Sequence, residues 1–293
     1  MTWRSWLAFG ALGVVWGLPY FFIKLALVDI SPVGVAWGRI ALGAAILLPI
    51  AWRRGGLQSL ANHKGALVAY AFAELIGPFP LISLGESWIS SSLAGILVAT
   101  LPMILIVLSP AFGIREPLGL RRLVGLAIGF LGVVVLLGVG SVHGLKAWAG
   151  VGCLLLATLG YALASIVVQK HLTNIDEMAA VAVSLAIAAV VLFPAALLSA
   201  PAHLPGLVSL ASVGVLGVIC TALALLLYFY LIQRAGAARA SVITYINPAV
   251  AAVLGVGILR EPFGAAGAMG LGLILLGSWM STSHETRDAF ADA

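Results

Sequence analysis

The chain is 293 residues long, 62% hydrophobic and only 9% charged, with a mean hydropathy of +1.17. A soluble protein of this size cannot hide that much apolar surface from water, so the composition excludes a soluble domain and points to an integral membrane protein whose first partner is the lipid bilayer. A net charge of +5 and a pI near 9.5 would suggest nucleic acid in a soluble chain; here the basic residues fall between apolar runs, where they report topology and imply no nucleic-acid partner.

Long, unbroken apolar runs mark helical spans, whereas barrel strands would show roughly 10-residue alternating segments. A crossing helix takes about 20 residues. By that ruler the chain is an all-α membrane protein of ten spans. The first five are Trp6–Leu27, Pro32–Trp52, Gly65–Leu84, Trp88–Gly113 and Leu118–Gly138. The second five are Trp148–Lys170, Glu177–Leu198, Leu207–Ile232, Ala238–Leu259 and Gly264–Met280. The first run holds Trp16, Pro19 and Lys24 and has no small-x-small cleavage site, which fits a permanent span and not a signal peptide. Residues 283–293 read as a polar, disordered cytoplasmic tail. Cys153 and Cys220 sit inside apolar runs and suggest neither a disulfide framework nor a metal site, and no cofactor is expected.

One short stretch occurs twice. Arg115, Glu116 and Pro117 return as Arg260, Glu261 and Pro262, 145 residues later. Pro102 before the first copy answers to Pro248 before the second, with one residue of slippage, and Pro49 answers to Pro194. The triplet itself reads as a helix-to-helix turn, with Pro at the first position of the next helix, where its missing N–H costs nothing. The fixed offset exposes a duplication of residues 1–140 in 146–282. Five spans is an odd number, so the second copy enters the membrane upside down. With the N-terminus in the cytoplasm, eleven Lys and Arg face inward and only Lys146 and Arg260 face outward, which puts both termini inside. Inverted repeats of this kind are characteristic of secondary transporters, whose halves rock about a shared site.

Polar side chains within a bilayer are costly and face a cavity or a partner. Trp16, Tyr20 and Lys24 recur every four residues on one face of the first span, and the 145-residue offset lands on Tyr161, Ser165 and Gln169 in the sixth. Lys24 could equally be a snorkelling anchor. Arg39 lies about seven residues, roughly 10 Å, into the second span; it could hold a substrate carboxylate or pair with Glu74 or Glu86. Glu74 is the acidic residue in the middle of a span, with Tyr70 one turn earlier. It belongs to a solute or proton pathway, or is a neutral or paired structural group. Pro102 and Pro248 break the fourth and ninth spans, and Pro19 and Pro78 add further kinks; such breaks mark hinges or binding sites in transporters. Thr244, Tyr245 and Asn247 crowd ahead of Pro248, with Tyr228 approaching from the eighth span. Gly13/Gly17 and Gly125/Gly129 are small-xxx-small faces. The glycine-rich fifth and tenth spans are scaffold; a homodimer surface is compatible with them, but the monomer is the expected functional unit.

These residues carry a resemblance. Trp16-Gly17 with Lys24, Pro32 with Arg39, Pro102 with Arg115-Glu116-Pro117, and Asn247-Pro248 with Arg260-Glu261-Pro262 resemble the EamA family of the drug/metabolite transporter superfamily over nearly the whole chain. The resemblance implies ten helices in two inverted five-helix units and movement of small organic solutes, often outward. Within the family the chain is most similar to bacterial amino-acid and metabolite exporters of the inner membrane, the aromatic amino-acid type included. The expected function is export of neutral or aromatic amino acids or related metabolites. The alternatives are a carrier for drugs or nucleotide-type metabolites, a channel, or an intramembrane enzyme. An enzyme is disfavoured because all five histidines fall in loops or the tail and one carboxylate is mid-span. A channel is disfavoured by the lack of repeated filter residues. No phosphate-binding Gly-Lys-Ser/Thr loop is present, so energy would come from a solute or ion gradient.

Overall fold

The computed structural model describes residues 10–114, 119–138, 142–173, 175–235, 240, 243 and 246–291. The first Arg-Glu-Pro triplet, Thr244 and Tyr245 lie outside these residues. Among the described residues, seven helices are long and apolar enough to cross a membrane. They are α2 (Pro32–Arg53), α3 (Lys64–Glu86), α4 (Ser91–Phe112), α5 (Leu120–Gly138), α6 (Gly144–His171), α7 (Glu177–Leu198) and α8 (Leu207–Arg234). Three apolar stretches are shorter: α1 (Gly10–Ala26), α9 (Asn247–Gly257) and the first part of α10 (Ala265–Ala291). Among the described residues there is no strand.

Helix starts follow from local chemistry. Ser31 caps α2 by accepting from the Gly34 N–H, with Pro32 in the first turn. Ser90 caps α4 through the Leu93 N–H, which sets its start at Ser91 and leaves Trp88 in the preceding turn. Asp176 caps α7 through the Ala179 N–H.

Helix interruptions gather at prolines. Pro19, Pro78 and Pro102 each stand in the first turn of a new helical segment that follows an interruption, and Pro248 stands in the first turn of α9. Before Pro78 the chain widens into a π-turn, Ala71–Ile76, and the Gly77 N–H reaches back five residues to Phe72 O. The proline ring would otherwise meet the carbonyl four residues earlier, which is that of Glu74. A second π-turn, Val218–Leu223, lies at the corresponding place in α8 with no proline beside it.

The second Arg-Glu-Pro triplet departs from the expected turn. α10 begins at Ala265, so Pro262 is not its first residue. Arg260 takes a left-handed conformation, φ 56°. The Glu261 carboxylate accepts four hydrogen bonds, from Ser91 N (2.7 Å), Ser91 Oγ (2.9 Å), Ser92 N (3.0 Å) and Ser92 Oγ (2.8 Å). It satisfies orphan N–H groups at the start of α4 and places negative charge where the helix dipole favours it. At its other end α10 stays helical to Ala291, where the sequence suggests a disordered tail from residue 283. Extending a helix needs no new nucleus, and the polar stretch after Ser281 holds only helix-tolerant residues.

Each helix of the first half packs on one of the second: α1 on α8, α2 on α7, α3 on α6, α4 on α9 and α5 on α10. Exchanging every helix for its counterpart five places along returns the same pairing. Trp37 Nε1 ties α2 to α7 by donating to Ala189 O at 3.0 Å. α5 and α10 meet along their length through glycines. A Cβ on Gly277 would collide with the backbone of Gly125 and Gly129, and one on Gly270 would crowd Gly132 O. Gly125/Gly129 is thus an intramolecular contact. Gly13 and Gly17 meet Ile246, Val250 and Asn247 O, bringing α1 onto the start of α9.

Candidate functional site

The interruptions in α1, α3 and α4 and the start of α9 border one pocket. α1 contributes Trp16, Pro19, Tyr20 and Ile23; α2 Arg39; α3 Glu74, Phe79 and Ile82; and α4 Val98 and Leu101. From the second half come Tyr161 on α6, Leu225 and Tyr228 on α8, and Asn247 on α9. The empty volume, open solvent at its mouth included, is about 560 Å³.

The wall formed by α1 has spacing i, i+3, i+4, i+7, one face of a helix. Steps of four drift by about 40° each at 3.6 residues per turn. Two such steps carry Lys24 off the pocket face, where its Nζ donates to the backbone carbonyl of Glu86. The same drift operates in α6. Tyr161 lines the pocket, while Ser165 lies behind and donates to Tyr161 O at 2.8 Å, so the Tyr228 hydroxyl donates to Ser165 Oγ at 2.9 Å. That bond holds Tyr228 against Trp16, their ring centroids 4.5 Å apart. Gln169, two turns on, is outside the lining. Tyr70 is fully buried behind the wall, edge-on to Phe229 at 5.8 Å.

Arg39 is buried, and no ion pair joins it to Glu74 or Glu86. Its Nε donates to Thr221 Oγ1 at 2.8 Å and its Nη2 to Cys220 O at 3.3 Å, while its guanidinium lies 4.1 Å over the Phe79 ring. The two oxygens belong to the π-turn of α8. Such a turn displaces the helical hydrogen-bond ladder and presents carbonyls sideways. The charge is met by neutral acceptors and a π face.

Glu74 belongs to the other π-turn. It is 2% exposed, and its Oε2 has no hydrogen-bond partner. Asn247 is also 2% exposed with an unpartnered Oδ1. Glu86 is wholly buried at the end of α3, away from the pocket lining, with neither carboxylate oxygen hydrogen-bonded. Sequence reasoning passed over Ile23, Phe79, Ile82, Val98, Leu101 and Leu225, because apolar side chains give no contrast in an apolar chain. Ile23 could have been reached by continuing the i, i+3, i+4, i+7 face from Trp16. Among the described residues no group of three or more His, Cys, Asp or Glu could hold a metal ion.

The pocket thus joins two homologous halves, and the comparisons agree on what those halves are. The model of the EamA-like transporter family matches twice, at residues 4–138 and 148–283. The chain belongs to the EamA-like transporter family. It is 29% identical over 278 residues to the "Uncharacterized inner membrane transporter YedA" of Escherichia coli (strain K12), covering 90% of this chain and 86% of that one. An "Uncharacterized transporter" of Archaeoglobus fulgidus is 25% identical over 284 residues, 94% of this chain and 98% of the relative. "Protein PagO" of Salmonella typhimurium is 25% identical over 257 residues, 84% and 82% of the two chains. A solved crystal structure aligns with a TM-score of 0.74 at 18% identity, over 98% of this chain and 99% of the other, a likeness of fold alone. This EamA-like chain is therefore a multi-pass membrane transporter.

Proposed function

We propose that this transporter is a ten-span secondary carrier that exports small organic solutes, amino acids or related metabolites, across a bacterial inner membrane with both termini in the cytoplasm. One observation supports it most: a single pocket takes its walls from both family repeats, with Trp16, Arg39 and Glu74 from the first and Tyr161, Tyr228 and Asn247 from the second. A site shared by two inverted repeats can open to either side as one repeat rocks against the other. The pairing of helices, unchanged when the halves are exchanged, supports that geometry. The proline breaks at 19, 78, 102 and 248 are the hinges in this reading. Aromatic walls suit an apolar side chain, and the polar groups suit its charged end. The name borne by the Escherichia coli relative supports the inner membrane.

Reconstitution in liposomes with a panel of neutral, aromatic and charged amino acids, nucleosides and cationic drugs tests this directly. Saturable exchange of amino-acid-type solutes is the expected result, and an imposed pH gradient reads the coupling. Failure of every solute to move, or ohmic single-channel currents, would contradict a carrier.

A further inference from the structure

The polar pocket atoms that are buried without a partner are Glu74 Oε2 and Asn247 Oδ1. Both are acceptors. Each side chain is 2% exposed, so bulk water does not satisfy them. A buried acceptor left unmade costs about 1–3 kcal/mol, more when it carries charge. The pocket's cation is in a different condition: Arg39 is already oriented by Thr221, Cys220 O and Phe79. The unmet demand inside the pocket is for donors and positive charge.

Resting on the carrier reading above, we infer that the transported solute is a protonated amine with an apolar, aromatic-sized body, its ammonium bound by Glu74 and Asn247 and its carboxylate, where it has one, dispensable. An ammonium offers three donors and no acceptor, which matches two unpartnered oxygens. The tilted Trp16–Tyr228 pair and Tyr161 give the cation π faces to lie against. A carboxylate-only solute would bring acceptors to a site that already has too many, and would set its charge against Glu74. The π-turn places Glu74 in the wall, so the same distortion that accommodates Pro78 presents the specificity residue.

The test uses three probes with one ring: phenethylamine, phenylalanine and 3-phenylpropionate. Binding to the purified full-length protein is read by tryptophan fluorescence, and exchange is read in liposomes. Phenethylamine and phenylalanine are expected to bind and exchange, and 3-phenylpropionate to do neither. Glu74→Gln and Asn247→Leu should each raise the amine's half-saturation about tenfold or more, the scale of a lost charge-assisted hydrogen bond. Because Glu74 lacks a structural partner, Glu74→Gln should unfold no earlier than the parent. Equal binding of 3-phenylpropionate, or unchanged amine affinity in folded Glu74→Gln, would overturn the inference and leave the carrier reading intact. The ligand series on the unmutated protein decides the matter even if a variant fails to fold. Transport of other solutes with no amine binding overturns the inference alone. Amine binding with no transport of any solute sustains the ligand class and ends the carrier reading.

Discussion

Arg39 shows how a buried charge can be settled without a counter-charge. Its partners are a hydroxyl, a carbonyl and a phenyl face, and the first two lie more than 180 positions away in the sequence. Thr221→Val keeps the shape and removes the Nε acceptor. It is expected to cost about 1.5–3 kcal/mol, as for other hydrogen bonds to charged groups, read as an earlier thermal unfolding in detergent. The depth of Arg39 and the isolation of Glu74 were legible in the sequence, because ionisable residues stand out in an apolar run. Arg39's partners were not legible: charge logic searches among carboxylates, and a π-turn carbonyl leaves no mark in a sequence. Lys24 illustrates a second limit. Spacing by four places residues on one face only until the helical drift accumulates, and Lys24 ends on a backbone carbonyl outside the pocket.

At the scale of elements, Glu261 binds the α9–α10 turn to the start of α4. Glu261→Gln keeps the volume but removes the charge. It is expected to destabilise the protein by about 1–3 kcal/mol and to speed amide hydrogen exchange at residues 91–93. The α5–α10 seam gives a paired test. A methyl on Gly277 meets backbone, whereas one on Gly129 meets the flexible end of Met103. Gly277→Ala should therefore lose far more folded protein than Gly129→Ala, read by size-exclusion yield and unfolding temperature. Outside the spans, Asp29 accepts from Ser209 Oγ at 2.7 Å and from Gly206 N at 2.9 Å, which holds its carboxyl below the usual carboxylate range. A folded-state pKa below the unfolded one stabilises above the unfolded value, near 3.9, and that contribution is lost as pH falls through the lower, folded one. Asp29→Asn should flatten that acid limb of the stability profile. Helix positions were readable from apolar length and caps. The π-turn of α3 had a signal in Pro78, while the one in α8 has no proline beside it and left no mark in the sequence.

For the whole molecule, the duplication visible in two Arg-Glu-Pro triplets matches the two family repeats and the cross-pairing of helices. What the sequence withheld was the shape of the space between the halves, because a wall of Ile, Phe, Val and Leu side chains looks like any other apolar face until the helices are assembled. The central claim is that the repeats lie in opposite senses about that space. Gly119 and Gly264 are equivalent positions after the two triplets, and each faces open space. Single cysteines at these two sites, in a chain otherwise free of thiols, can be labelled in intact cells with a membrane-impermeant maleimide. Labelling at 264 without labelling at 119 until the cells are opened is the expected result; equal labelling of both from the same side would contradict it.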